Sequence, residues 1–241
     1  MLVKTKGIVL TSVKYGEADL IVKCLTEEGM RSYMLKRIIG SKSKKVKLAY
    51  FQPLSLLELT ANHNQKGRLN SIREVRASYI YQSVSTDIRK QSIALFLSEV
   101  LASAIREEES DSSLFEYVQA ALIWLDTHDR VANFHLLFLM RLTRFLGFYP
   151  DSKHSGQEYF DLVEGSFSNT RPQNPYLDKV NLALFRTLIG INFDEVVRLG
   201  WNSEKRHSLL DDILVYYEFH LPGFTKPRSL NVLKDVFNEI S

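Results

Sequence analysis

The sequence predicts an α+β fold, a small five-stranded β-barrel followed by an all-α helical domain that carries a short irregular insertion. Three observations predict it. Residues 2–75 hold five short runs of β-branched and alternating apolar residues, separated by polar turns. From about residue 82 the apolar period changes from 2 to 3.6. The charge divides at the same place. Residues 1–80 carry 15 Lys+Arg against 6 Asp+Glu, a balance of +9, and the rest carry 16 against 22, a balance of −6, behind a net charge of only +3.

The first strand spans residues 2–13, with Val3, Thr5, Ile8, Val9, Thr11 and Val13. Lys14-Tyr15-Gly16-Glu17 is a turn, and Asp19 to Thr26 is the second strand, closed by Glu27-Glu28-Gly29. Met30 to Ile39 reads as a third, in which Tyr33 and Leu35 alternate with polar neighbours. A basic run over 40–47 interrupts the pattern. Residues 54–61 form a fourth strand after Pro53, Asn62 to Gly67 a polar turn, and Leu69 to Val75 a fifth strand. Five short strands with one long charged connection suit a barrel of the OB type over residues 1–80.

Residues 81–241 are expected to be helical, the boundary falling near 78–84. Ile93, Phe96, Leu97, Val100, Leu101 and Ala104 mark one amphipathic helix; Leu114, Phe115, Val118, Ala121, Leu122 and Leu125 mark a second. The third, Asn133 to Leu146, is apolar nearly all round and should be central; Gly147 and Pro150 stop it. Residues 151–176 read as the insertion, with a short hairpin over Tyr159 to Val163 and Ser166-Phe167. Helical spacing returns at 177–189, 203–221 and 230–240.

No run approaches the roughly 20 apolar residues a membrane helix needs, and the opening residues carry no secretory signal. One cysteine, Cys24, forbids an internal disulfide and a multi-cysteine zinc site; its place in a strand makes it a core residue, and a reducing cytoplasm fits. Phosphate-loop, dinucleotide and nucleophile-elbow motifs are missing. Gly40-Ser41-Lys42-Ser43 lacks the upstream glycine of a phosphate loop and reads as a flexible basic loop. The six histidines show no metal spacing. Asp126-Thr127-His128-Asp129 reads as capping or turn residues between helices, and His135 as a core histidine. The chain is therefore expected to be neither an enzyme nor a holder of cofactor or metal.

The densest charge is Lys36, Arg37, Lys42, Lys44, Lys45 and Lys47. Lysines and arginines bind nucleic acid by neutralising phosphates and releasing counterions, and OB barrels add aromatic rings on which bases stack. Tyr15, Tyr33, Tyr50 and Phe51 are the candidate rings. Arg31, Lys66 and Arg68 extend the surface if their turns lie beside the basic loop. The same cations serve DNA and RNA, so an RNA-binding OB protein of translation or ribosome assembly is the alternative.

The order of residues adds a resemblance. Lys6-Gly7-Ile8-Val9-Leu10, Tyr15-Gly16-Glu17-Ala18-Asp19 and Leu25-Thr26-Glu27-Glu28-Gly29 resemble the opening of the RecO family of bacterial DNA repair proteins. Gly40 to Lys44 with Phe51 to Leu59, then Arg144 to Pro150, then His220 to Phe224 with Arg228 to Leu233, continue the likeness in the right order. The resemblance implies an N-terminal OB fold, a helical C-terminal domain and a cytoplasmic, nucleoid-associated recombination mediator. Such a protein binds and anneals single- and double-stranded DNA. With RecR it helps RecA displace single-stranded DNA-binding protein (SSB), whose acidic C-terminal tail it contacts. A pocket for that tail should pair cations with an apolar groove, and Arg141 and Arg144 on the third helix are the candidates; an ion pair inside the bundle is their competing role. Many members of the family carry a four-cysteine zinc site after the third helix. Here Asp151 to Pro175 holds no cysteine, and His154 is the only soft ligand. No zinc is expected, and packing of Tyr159, Phe160, Leu162 and Phe167 must hold the segment.

Overall fold

The computed structural model describes residues 1–39, 48–64, 69–106 and 112–239. It contains two compact units, Met1–Thr127 and His128–Ser241. In the first, strands β1 (Leu2–Tyr15), β2 (Asp19–Thr26), β3 (Gly29–Leu35), β4 (Leu56–Asn62) and β5 (Ser71–Ala77) form one antiparallel sheet in the order β3-β2-β1-β4-β5. β1 is long enough to serve two partners. Its first half pairs with β4, from Leu2↔Asn62 to Ile8↔Leu56, and its second half with β2, from Gly7↔Thr26 to Tyr15↔Asp19. Gly7 stands at the changeover, where a Cβ would meet Leu59 Cδ1 at 3.0 Å, so a larger residue would require the Leu59 side chain to shift. A bulge between Val9 and Thr11 bends the strand.

Inward residues Val9, Leu20, Val22, Cys24, Tyr33, Leu35, Leu57, Leu59, Ala61 and Val75 form the core, joined by Phe51 from a 3₁₀ turn over Leu48–Phe51. Burial pushes the Cys24 thiol up to about 12, which leaves it inert. The sheet is not closed into a barrel by a full ladder. Among the described residues its edge strands meet at one parallel bridge, Tyr33↔Asn70, where the Met34 N–H donates to the Asn70 carbonyl at 2.8 Å and the Asn70 N–H to Ser32 at 3.0 Å. A partly open five-stranded barrel is what the OB class tolerates.

β3 stops at Leu35 and does not reach Ile39. Arg37 adopts φ 52, a left-handed conformation, and its N–H donates to the Asp19 carboxylate at 2.7 Å. Helices α1 (Ile88–Ala104) and α2 (Ser112–Thr127) pack against β1 and β2 of the same unit. The connection from β5 to α1 is tied down by Asp126, buried near the end of α2. Its carboxylate accepts the N–H groups of Gln82, Ser83 and Val84, and its carbonyl accepts the ammonium of buried Lys90 at 3.0 Å.

In the second unit, α3 (Phe134–Phe145) is buried from Phe134 to Met140 and contacts α4 (Lys179–Leu188), α5 (Phe193–Val196) and α6 (Ser203–His220); α7 (Leu230–Glu239) packs on α6. His135 lies in this core, and burial, with Arg206 and His207 nearby, holds it neutral at about 3. The segment after α3 forms a small sheet, β6 (Tyr159–Asp161), β7 (Ser166–Ser168) and β8 (Tyr176–Leu177), in the order β7-β6-β8.

Candidate nucleic-acid interface

Strand pairing brings the turn after β3 beside the β1–β2 hairpin. Lys14 pairs with Leu20 and Leu20 with Leu35, so Lys14 lies two strand spacings, about 10 Å, from the residue that precedes Lys36. The Ile39 N–H donates to the Ala18 carbonyl at 3.0 Å, fixing turn against hairpin. Lys14, Lys36 and Arg37 are all exposed there, and among the described residues none of them is ion-paired with a carboxylate. Tyr15, 57% exposed, ends β1 opposite Asp19, whose carboxylate accepts the Arg37 N–H. This end of the sheet offers cations and an accessible ring.

Lys42, Lys44, Lys45, Lys47, Lys66 and Arg68 lie outside the described residues. Arg31 is half-buried and its guanidinium donates to the Met30 carbonyl at 3.1 Å. It precedes Lys36 by five positions, about 16 Å along a strand, so it belongs to the other end of β3. There it lowers the pKa of His63 after burial has done so, while Glu28 opposes. Of the four candidate rings, Tyr33 and Phe51 are in the core, 0% and 3% exposed, because their positions face the barrel interior. They cannot stack on bases. Tyr15 and Tyr50 keep accessible surface. The sequence does not single out Lys14, which lies far from the lysine run along the chain; its place in the turn beside Tyr15 was the available signal.

The surface around β1, β4 and β5 is different. A groove there is lined by Lys4, Lys6 and Arg76 against Glu27, Glu58 and Glu74. Arg76 Nε donates to Glu58 at 2.7 Å, and Lys6 lies 3.9 Å from Glu27. Cations neutralised in this way attract a polyanion weakly. A second, apolar groove of about 980 Å³ is lined by Tyr50, Gln52, Pro53, Tyr79, Tyr81 and Leu95, among others.

In the helical unit Arg141 donates to the Ile191 carbonyl at 2.7 Å and lies over the Phe193 ring. Arg144 is exposed, 4.3 Å from the centre of the Tyr149 ring. Among the described residues neither forms an ion pair, so packing on aromatic rings and a carbonyl takes the place of the bundle salt bridge. Asp212, between α4 and α6, is pushed up to about 6 by burial, against the Asn181 amide that donates to it at 2.6 Å and with Asp211 adding to the rise. It serves helix pairing.

Among the described residues no group of three or more His, Cys, Asp or Glu could hold a metal. The segment where the family's zinc site falls does not fit one. It is filled by Phe160, whose ring lies 4.9 Å from Phe167 and 4.6 Å from Phe185, with Leu162 buried and His154 exposed. No helix among the described residues is long and apolar enough to cross a membrane.

Comparison with known proteins agrees over nearly the whole chain. The family model described as recombination protein O N terminal matches residues 1–81, and that described as recombination protein O C terminal matches 85–230. The DNA repair protein RecO of Flavobacterium psychrophilum is 42% identical over 239 residues, 99% of this chain and 100% of the relative. Those of Christiangramia forsetii and Bacteroides fragilis are each 41% identical, over 98% and 99% of this chain and 100% of the relative.

Proposed function

This chain belongs to the recombination protein O family, and from that premise we propose that it is a DNA-binding recombination mediator of DNA repair. It binds single- and double-stranded DNA, anneals complementary strands and, with RecR, assists RecA loading on strands coated by SSB. It works in the cytoplasm at the nucleoid and without catalysis of its own.

The observation that carries the reading is the end of the sheet that gathers exposed Lys14, Lys36, Arg37 and Tyr15, where among the described residues none of the three cationic side chains is ion-paired and Asp19 accepts only the Arg37 backbone N–H. Phosphates pass along these cations, and a base can rest on the ring. Lys42, Lys44, Lys45 and Lys47, in the connection that follows Arg37 in sequence, supply further phosphate contacts. Arg31 with Lys66 and Arg68 serves a longer strand. For the acidic SSB tail we assign Arg144, whose guanidinium is exposed beside Tyr149, with Arg141 holding the neighbouring loop.

Fluorescence anisotropy with single-stranded DNA over a salt series tests the interface. Replacing Lys14 and Lys36 by Ala and Arg37 by Gly, which suits its left-handed backbone, should weaken binding to all sequences alike. The slope of log affinity against log salt should flatten by about 0.7 per contact, roughly 2 in all. An unchanged slope removes this surface from the interface. A strong preference for RNA over matched DNA in competition overturns the repair reading in favour of an RNA-binding role.

A further inference from the structure

We propose that the apolar groove beside β1 receives unpaired bases of single-stranded DNA, as a continuation of the cationic end; the inference rests on the DNA-binding reading above. Among the described residues its lining holds one charged side chain, Arg76, which is bonded to Glu58, whereas the groove on the other part of the sheet is lined by three carboxylates. The lining is mainly apolar and aromatic, which suits the face of a base. Tyr50, Tyr79 and Tyr81 supply flat π surface, and Gln52 and Gln91 supply amides of the kind that meet a base edge.

The rings are held in advance. The Tyr79 hydroxyl donates to Asp126 at 3.0 Å and that of Tyr81 to the Leu54 carbonyl at 2.7 Å, and the two rings meet edge to face at 5.6 Å. Binding therefore freezes little new motion. Ile80, between them in sequence, is 80% exposed on the lining, and Leu95 is 37% exposed. Apolar surface left in water at the mouth of an aromatic slot is covered when a base enters.

Continuity with the cationic end gives the occupant its route. The Ser12 hydroxyl donates to the Phe51 carbonyl at 2.8 Å and the Leu54 N–H to Val9 at 2.7 Å, which fixes the wall segment to β1. Tyr15 follows Ser12 by three residues, about 10 Å along the strand. The Tyr50 and Gln52 end of the groove is thus the end nearer the cations, while its Leu56 end pairs with Ile8, seven residues or about 23 Å along β1 from Tyr15.

The test compares an oligothymidylate with an abasic deoxyribose-phosphate strand of equal length, binding to wild type, Tyr79→Phe and Tyr79→Ala. Wild type should prefer the base-bearing strand. Tyr79→Ala should lose about 5- to 100-fold on that strand, the range of one base stack, with abasic affinity and salt slope unchanged. Tyr79→Phe loses the Asp126 bond but keeps the ring, so it should bind as wild type and separates stacking from folding. Strands bearing 5-iododeoxyuridine should photocrosslink to Tyr50, Tyr79 or Tyr81 in the unaltered protein. Equal binding of both strands by wild type, or crosslinks only elsewhere, overturns the groove alone. An acidic, aromatic-ended peptide that shields these tyrosines when oligothymidylate does not would assign the groove to a protein tail and overturn the proposal. Binding of neither strand at low salt would remove the DNA reading and this inference with it.

Discussion

Asp126 accepts the N–H groups of Gln82, Ser83 and Val84 at 2.9, 2.8 and 3.0 Å, and the Tyr79 hydroxyl at 3.0 Å. Burial alone would raise its carboxyl, but these four donors outweigh burial and bring it down to about 2. A depressed carboxyl stabilises the fold above the usual carboxylate range, and that stability is lost as the pH falls through the native value. The drop from the usual 3.8 corresponds to roughly 2 kcal/mol. Asp126→Asn keeps the size, loses the charge and sets an amide N–H against backbone donors. We expect it to cost about 3 kcal/mol at pH 7, read by urea unfolding. The gap to wild type should shrink between pH 4 and pH 2, as the native carboxyl takes up its proton. A gap that does not change with pH would mean that shape, not charge, is what the site requires. The sequence identifies Asp126 as a turn or cap residue but not its partners, which lie 42 to 47 residues away.

At the scale of elements, alternation and period are strong signals wherever one face is buried. The strands over 2–13, 19–26 and 54–61, and all three long apolar helices, are legible for that reason. The end of β3 was not, because Ile38 and Ile39 continue the apolar character while one left-handed residue, Arg37, turns the chain. Alternation also fails to tell which face a given ring takes: Tyr33 goes inward and Tyr15 outward. The β6–β7 hairpin gives the sharpest prediction at this scale. Gly165 has φ 65, and a Cβ there would lie 2.9 Å from the Tyr216 hydroxyl, which donates to the Phe148 carbonyl at 2.6 Å. Gly165→Ala therefore meets a left-handed penalty of about 1–2 kcal/mol and displaces a buried hydrogen bond of about 1 kcal/mol. Urea unfolding should show a loss of roughly 2–3 kcal/mol. A loss under about 0.5 kcal/mol would mean that the turn relaxes and the hydroxyl finds another acceptor.

Across the whole molecule, the cationic first third and the acidic remainder set where a polyanion is drawn, while the cysteine-free segment sets what holds the second unit together. A structural zinc contributes on the order of 10 kcal/mol to a small metal-dependent fold, so a chain that relied on one would unfold on chelation. Here the same stretch buries Phe160, Leu162 and Phe167 against Phe185 and Tyr216, each apolar side chain worth about 1.5–3 kcal/mol. The thermal midpoint should accordingly stay within about 1 °C when EDTA or zinc is added. Phe160→Ala, which opens a cavity among those rings, should cost about 3–5 kcal/mol. The two results must appear together. A midpoint that falls several degrees with chelator would mean that histidine and carboxylates hold a metal after all. A neutral Phe160→Ala would mean that the sheet is not what closes this end of the unit.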